Sequence, residues 1–186
     1  MNIFIGCSSV NAQLDKYSRT AEKMADFIVK GGHNLVFGGC DRGLMGKVYS
    51  QIIKSQSKKT KIIITIAEAW KDDLKTLTYD EVHMFKTVNE RDQQEIDLSD
   101  ALVFLPGGIG TLEEILMAIE TRRSGEHDKP IIIINNANFF ENLIEMLNQI
   151  YDEGFANSSA REMYFIADTV EEAIKYLSGW IKESKI

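Results

Sequence analysis

The chain has 186 residues, with 21 lysines and arginines against 28 aspartates and glutamates and a net charge of −7. That balance excludes a polyanion-binding face for nucleic acid or an anionic membrane, so any phosphate has to be met by local geometry. The length suits one domain over residues 1–186. Two cysteines fit a reducing compartment and no Cys/His spacing resembles a metal site. No apolar run approaches the roughly 18 residues of a membrane span, and the start of the chain has no charged leader, so a cytoplasmic protein is expected.

Residues 2–6 read as a first strand, with Cys7, Ser8 and Ser9 at its carboxyl end, where ligands gather in open parallel sheets. Residues 15–30 carry Ala21, Met24, Ala25 and Ile28 at helical spacing and stop at Gly31 and Gly32. Residues 35–37 are a second strand. Gly38, Gly39 and Cys40, then Gly43, Leu44, Met45 and Gly46, give a turn and a helix to about residue 55, with Val48, Ile52 and Ile53 inward. Residues 61–66 (KIIITI) form a continuous apolar strand of the kind buried on both faces. Residues 67–79 have no readable period. Residues 81–87 alternate as a strand nearer the edge, and NERDQQEIDLSD reads as a helix with Arg91 near its start.

Residues 101–105 are strand formers closed by Pro106. Gly107, Gly108 and Gly110 follow, and Thr111 opens a helix with Leu112, Ile115, Leu116 and Ile119 at helical spacing. Residues 130–135 are a further buried strand, 138–153 a helix ended by Gly154, and 162–166 a last strand. Thr169 caps a final helix with Glu171 and Glu172 in its first turn and Ala173, Ile174 and Leu177 inward. Strands alternating with helices predict an α/β, Rossmann-like, doubly wound and mostly parallel sheet of about seven strands with helices on both faces. Glycine-bearing turns after the first, second and fifth strands would meet in one crevice at the carboxyl end of the sheet.

The loop at residues 107–111 lies between a strand and a helix, so its backbone can approach an anion held by the helix N-terminus. A tight turn explains the glycines equally well, and Glu113 and Glu114 in a first turn complement a helix dipole without any ligand. The loop is neither a Walker A loop nor the G-x-G-x-x-G dinucleotide fingerprint. His33, His83 and His127 share no spacing, and packing or an oligomer contact suits Trp70 and Trp180 better than base stacking. Lys129 has no cofactor-lysine context, which argues against pyridoxal-dependent decarboxylation.

The run NERDQQEIDLSDALVFLPGGIGTLEEI, the downstream GEHDKPIIIINNANFFENLIEMLNQIYDEGF and the upstream LVFGGCDRGLMGKV closely resemble the LONELY GUY (LOG) family, often labelled "possible lysine decarboxylase". Its P-G-G-x-G-T-x-x-E pattern is met by Pro106, Gly107, Gly108, Gly110, Thr111 and Glu114, and the similarity is weakest over residues 66–83. The resemblance implies a phosphoribohydrolase that cleaves the N-glycosidic bond of a nucleoside 5′-monophosphate, of AMP or cytokinin riboside type, to free base and ribose 5-phosphate. It implies Arg91 and Glu114 as catalytic residues and Gly107, Gly108, Gly110 and Thr111 as phosphate ligands. Glu113, Asp92, Ser8, Gly39, Gly43 and Met45 would be further substrate contacts, with no cofactor or metal, in a homodimer that uses apolar positions such as Met117 and Met146. The chain departs from the pattern at Asp92, where the family has a lysine, and at Cys40, which replaces a glycine. Glu120 stands where relatives carry a threonine. The competing expectation is a non-catalytic nucleotide or molybdenum-cofactor-type carrier, and the retained Arg91 and Glu114 favour the enzyme.

Overall fold

Seven segments become strands: β1 (Asn2–Gly6), β2 (Asn34–Phe37), β3 (Ile62–Ala67), β4 (Glu81–Phe85), β5 (Ala101–Phe104), β6 (Ile131–Ile134) and β7 (Phe165–Ala167). In the computed structural model, which describes residues 1–183, they form one sheet of order β4-β3-β2-β1-β5-β6-β7 with every neighbouring pair parallel. β3, β5 and β6 are buried at every position, as unbroken apolar runs in a sheet covered on both faces must be. β4 is the half-exposed edge that its alternating sequence predicts.

Successive side chains of a strand point to opposite faces, so Ile3 and Ile5 enter one core and Phe4 the other. The first core lies under α1 (Leu14–Gly31), α2 (Gly43–Ser55) and α6 (Val170–Glu183). The second lies under α3 (Val88–Leu98), α4 (Ile109–Arg123) and α5 (Glu141–Asp152). Ile3 pairs with Leu35 of β2 on one side and Ala101 of β5 on the other. The chain runs outward from β1 to β4, returns to lay β5 against the free side of β1, and runs outward again to β7. The carboxyl ends of β1 and β5 are therefore the topological switch point, where a doubly wound sheet opens a crevice.

Local sequence explains three of the helix ends. Gly32, at φ 63°, closes α1: its N–H bonds Val29 O, and His33 N–H bonds Ile28 O. Thr87 opens α3 with a full capping box: its hydroxyl accepts from Glu90 N, and the Glu90 carboxylate accepts from Thr87 N. Thr169 accepts from Glu172 N at the start of α6, as expected.

Several boundaries move. α4 starts at Ile109, so Thr111 lies inside the helix and not at its cap, and Glu113 and Glu114 fall beyond the first turn. The expected strand over 162–166 is displaced to Phe165–Ala167, because the Asn157 side chain caps a 3-10 turn over Ser158–Met163. α5 begins three residues late. Ala137 and Asn138 adopt positive φ, and Asn135 Oδ1 takes the Phe140 amide. The unreadable stretch is a 3-10 helix over Glu68–Thr76 with no buried residue, hence its lack of apolar period. Ile53, expected inward, is exposed, and so is Leu116 of the helical series in α4.

Candidate active site

An open crevice of about 520 Å³ lies at the switch point, lined from β1's exit by Cys7, Ser8 and Val10 and from α4 by Gly108, Gly110, Thr111, Glu113 and Glu114. Met45, Trp70 and Arg91 complete its lining. The two loops are tied together: Leu105 N–H bonds Gly6 O and Ser8 N–H bonds Pro106 O. β1 and β5 thus fix where the glycine loop sits.

Two helices, α2 and α4, open onto this crevice, and they differ in one respect. At α2 the Gly43 amide is taken by Asn11 Oδ1 and the Met45 amide by Ser8 O. At α4 the amides of Gly108, Ile109, Gly110 and Thr111 have no acceptor among the described residues. Four free donors at the positive end of a helix make α4 the place for an anion.

Glycine is needed here for two separate reasons. A Cβ on Gly108 or Gly110 would meet nothing, so those positions face open space. On Gly107 it would lie 2.1 Å from Thr111 Oγ1, on Gly39 2.5 Å from Ile64, and on Gly43 2.4 Å from Ser8 O. Those three let backbone pack against protein. Of the expected contacts, Gly107, Gly39 and Gly43 do not line the cavity, while Ser8, Met45, Gly108, Gly110, Thr111, Glu113, Arg91 and Glu114 are brought to it. The Ser8 hydroxyl also accepts from its neighbour Val10 N.

Asp92 does not line the crevice; it is buried behind Arg91. One of its oxygens accepts from Arg91 Nε at 2.8 Å and Nη2 at 2.5 Å, and the same Nη2 donates to Glu114 Oε1 at 2.8 Å. Asp92, the departure from the family pattern, thus holds the guanidinium from the rear. Glu95, one turn further along α3, stands 3.5 Å from Arg91 Nε. Gly6 makes room for the arrangement, since a Cβ there would lie 2.7 Å from Glu114 Oε2. Trp70 covers Arg91 from the solvent side, with the guanidinium carbon 5.4 Å from the ring centre, so its place is in the crevice and not in remote packing.

Three buried carboxylates share one cation, so full ionisation would leave a charge of −2 out of water. Burial raises the pKa of Glu114 to about 7 against the opposing pull of Arg91, and burial raises those of Glu95 and Asp92 as well. Burial alone would lower the Arg91 pKa, but the three carboxylates outweigh it and raise it. The Glu114 and Glu95 Oε2 atoms are buried without a partner among the described residues. Carboxylate oxygens of Asp92, Glu95 and Glu114 lie within 4.8 Å of one another, a metal-like spacing, but the guanidinium occupies the cation's position among them.

Other polar groups have structural duties. Lys129 Nζ bonds the carbonyls of Ile96 and Asp97 at the end of α3. His127 bonds Thr121 and Ala118 O, and His83 pairs with Glu81. Cys7 and Cys40 line the crevice, and burial raises both thiol pKa values. Sequence reasoning missed Glu95, Thr65 and the bidentate Arg42–Asp73 pair at the crevice rim, with both bonds at 3.1 Å. The one available signal was on α3, where the buried stripe is Arg91, Asp92, Glu95 and Ile96, charges where an apolar face belongs.

Against known proteins, the family model described as "Possible lysine decarboxylase" matches residues 45–177. The chain is 32% identical over 178 residues to cytokinin riboside 5′-monophosphate phosphoribohydrolase LOG3 of Arabidopsis thaliana, covering 96% of this chain and 82% of that protein. It is 31% identical over 175 residues to a probable enzyme of the same name, LOGL3, from Oryza sativa subsp. japonica, covering 94% and 82%. Among solved structures it superposes on the Moco carrier protein of Chlamydomonas reinhardtii with a TM-score of 0.70 at 17% identity, over 98% of both chains. The molybdenum cofactor binding protein of Rippkaea orientalis gives 0.64 at 20%, over 97% and 95%. Those two likenesses are of fold. The sequence relatives and the matched family model, together with Arg91 and the glycine-loop glutamate set side by side in one crevice, make this chain a member of the LOG family.

Proposed function

We propose that the protein hydrolyses the N-glycosidic bond of a nucleoside 5′-monophosphate, releasing base and ribose 5-phosphate. The observation that carries this reading is the buried Arg91–Glu114 pair beside four unpaired helix amides in one crevice. The 5′-phosphate would take the Gly108–Thr111 amides and the Thr111 hydroxyl. The sugar would then lie toward Glu114, with Glu113 on the rim for a ribose hydroxyl.

Breaking the C–N bond builds oxocarbenium character on the sugar, which a nearby carboxylate stabilises. Water oxygen bonds to the anomeric carbon as the electron pair of the C–N bond leaves with the base. Glu114 accepts the water proton and can pass it to the departing nitrogen, so charge balances over the step. A carboxyl with a pKa of about 7 suits such a proton exchange near neutral pH. Arg91 fixes one Glu114 oxygen, and the other is buried with no partner among the described residues.

Incubating the purified protein with AMP, N6-prenylated AMP and the other nucleoside monophosphates, and assaying free base by chromatography, tests the reading. Release of base from at least one is expected. Tight binding of a nucleotide or a phosphorylated pterin with no release would favour a carrier or binding protein, as the two structural neighbours are named.

A further inference from the structure

Glu95 is 1% exposed and faces away from the crevice, and the proposed chemistry makes no use of it. Its surroundings are nonetheless specific. Arg91 gives Nε and Nη2 to Asp92 and Glu114 and leaves Glu95 Oε1 at 3.5 Å from Nε, beyond good hydrogen-bond reach. The remaining polar neighbour is Thr65 on β3, whose Oγ1 lies 2.8 Å from Glu95 Oε1 and 3.4 Å from Phe37 O. Thr65 has one proton for two acceptors. If Glu95 carries a proton on Oε1 and donates it to Thr65, the threonine is free to donate to Phe37 O and both acceptors are served. An ionised Glu95 would take the threonine proton, leave Phe37 O without it, and add a second uncompensated charge to a buried cluster.

The groups that face Glu95 are few. Arg91 and Asp92 come from its own helix, Glu114 from α4 and Thr65 from β3, while His83 sits beside Thr65 in register on β4 and is paired with Glu81. The strands and α4 otherwise present Phe4, Leu102, Phe104 and Met117, none of them charged. Among the described residues only Arg91 would compensate a charge on Glu95, and its Nε and Nη2 already serve Asp92 and Glu114.

Resting on the hydrolase reading, we propose that Glu95 is a positioning residue for the reaction: held as a neutral acid by burial beside Asp92 and Glu114, it leaves the Arg91 guanidinium to Glu114 and so keeps Glu114 ionised toward the crevice. Two carboxyls packed around one cation titrate as a unit, and the one outside the guanidinium's hydrogen bonds holds the proton. When alkali removes that proton, the new carboxylate competes for Arg91, and Glu114 loses the partner that aims it. Glu95 therefore sets an upper pH limit on turnover, and Glu114 the lower one.

Infrared spectroscopy of the unliganded protein at pH 8 tests the proton directly. A protonated carboxylic acid C=O band is expected in the wild type and absent in Glu95→Gln. No such band in the wild type, or a band that survives Glu95→Gln, overturns the proposal. This readout needs no substrate, so it stands or falls apart from the hydrolase reading. The pH profile of base release supplies the second arm. Beyond its alkaline midpoint the wild type should lose about tenfold in turnover per pH unit, and Glu95→Gln should lose that limb while keeping the acid limb. A role in packing alone would scale turnover at every pH alike and leave both limbs in place, and that outcome also overturns the proposal. Glu95→Leu, neutral but without hydrogen bonds, replaces the glutamine variant should the latter fail to fold.

Discussion

Arg91 is surrounded by more carboxylates than it can neutralise, and the identity of its neighbour at 92 follows from that. A lysine there, as the family pattern has, would put a second cation against the guanidinium in the position where Asp92 now accepts two of its hydrogen bonds. Asp92→Lys should therefore not restore an ordinary relative. It should destabilise by about 3–5 kcal/mol, the scale for breaking a buried pair, seen as a lower urea midpoint. Asp92→Asn keeps the acceptor and removes a charge that helps to raise the Glu114 pKa, so the acid limb of the pH–rate profile should move to lower pH. An unmoved limb would mean that Asp92 does not act on Glu114.

Individual elements differ in how openly the sequence declares them. β3, β5 and β6 are legible because continuous apolar runs admit one environment, and the α1 terminus because Gly32 supplies its positive φ. The 3-10 segment Glu68–Thr76 was not legible, since nothing in it is buried, yet it supplies Trp70 and Asp73 to the crevice. Of the site, the P-G-G-x-G-T-x-x-E run gave loop and carboxylate together. The partition of its glycines into open and packed positions depends on distant residues such as Ile64 and Ser8, which no local pattern reveals. Gly6 shows the consequence. Gly6→Ala would set a Cβ 2.6 Å from the Phe104 ring and 2.7 Å from Glu114 Oε2, and should cost about 1–3 kcal/mol by thermal denaturation together with most turnover.

The packing of α3 against α4 also makes stability depend on pH. Glu95 and Glu114 have folded pKa values above their unfolded ones, so the folded state binds more protons than the unfolded state over the interval between them. That contribution is complete below about pH 4.5 and is lost as pH rises through about 7 for Glu114 and through the raised pKa of Glu95. Each carboxyl adds a slope of about 1.4 kcal/mol per pH unit within its window. Urea midpoints at pH 5 and 8 should fall with pH in the wild type, and less steeply in Glu95→Gln. Equal slopes would show that Glu95 has the same pKa folded and unfolded.

For the molecule as a whole, the switch point between β1 and β5 brings the phosphate-type amides and the Arg91–Glu114 pair together, and the remaining surface bears on assembly. Of the two methionines expected at an interface, Met117 packs against the core, whereas Met146 is 55% exposed and Leu116 of α4 46%. We propose an isologous two-fold dimer through this side. Sedimentation equilibrium at micromolar concentration should give twice the chain mass of 21.1 kDa, and a monomer would refute it. In the proposed hydrolysis Glu114 does chemistry and not merely helix packing. Glu114→Gln keeps shape and loses charge, so base release and nucleotide binding measured on the same preparation separate the two roles. Turnover should fall by about a hundredfold or more while the nucleotide dissociation constant changes by less than about tenfold; base release at the wild-type rate would contradict the account.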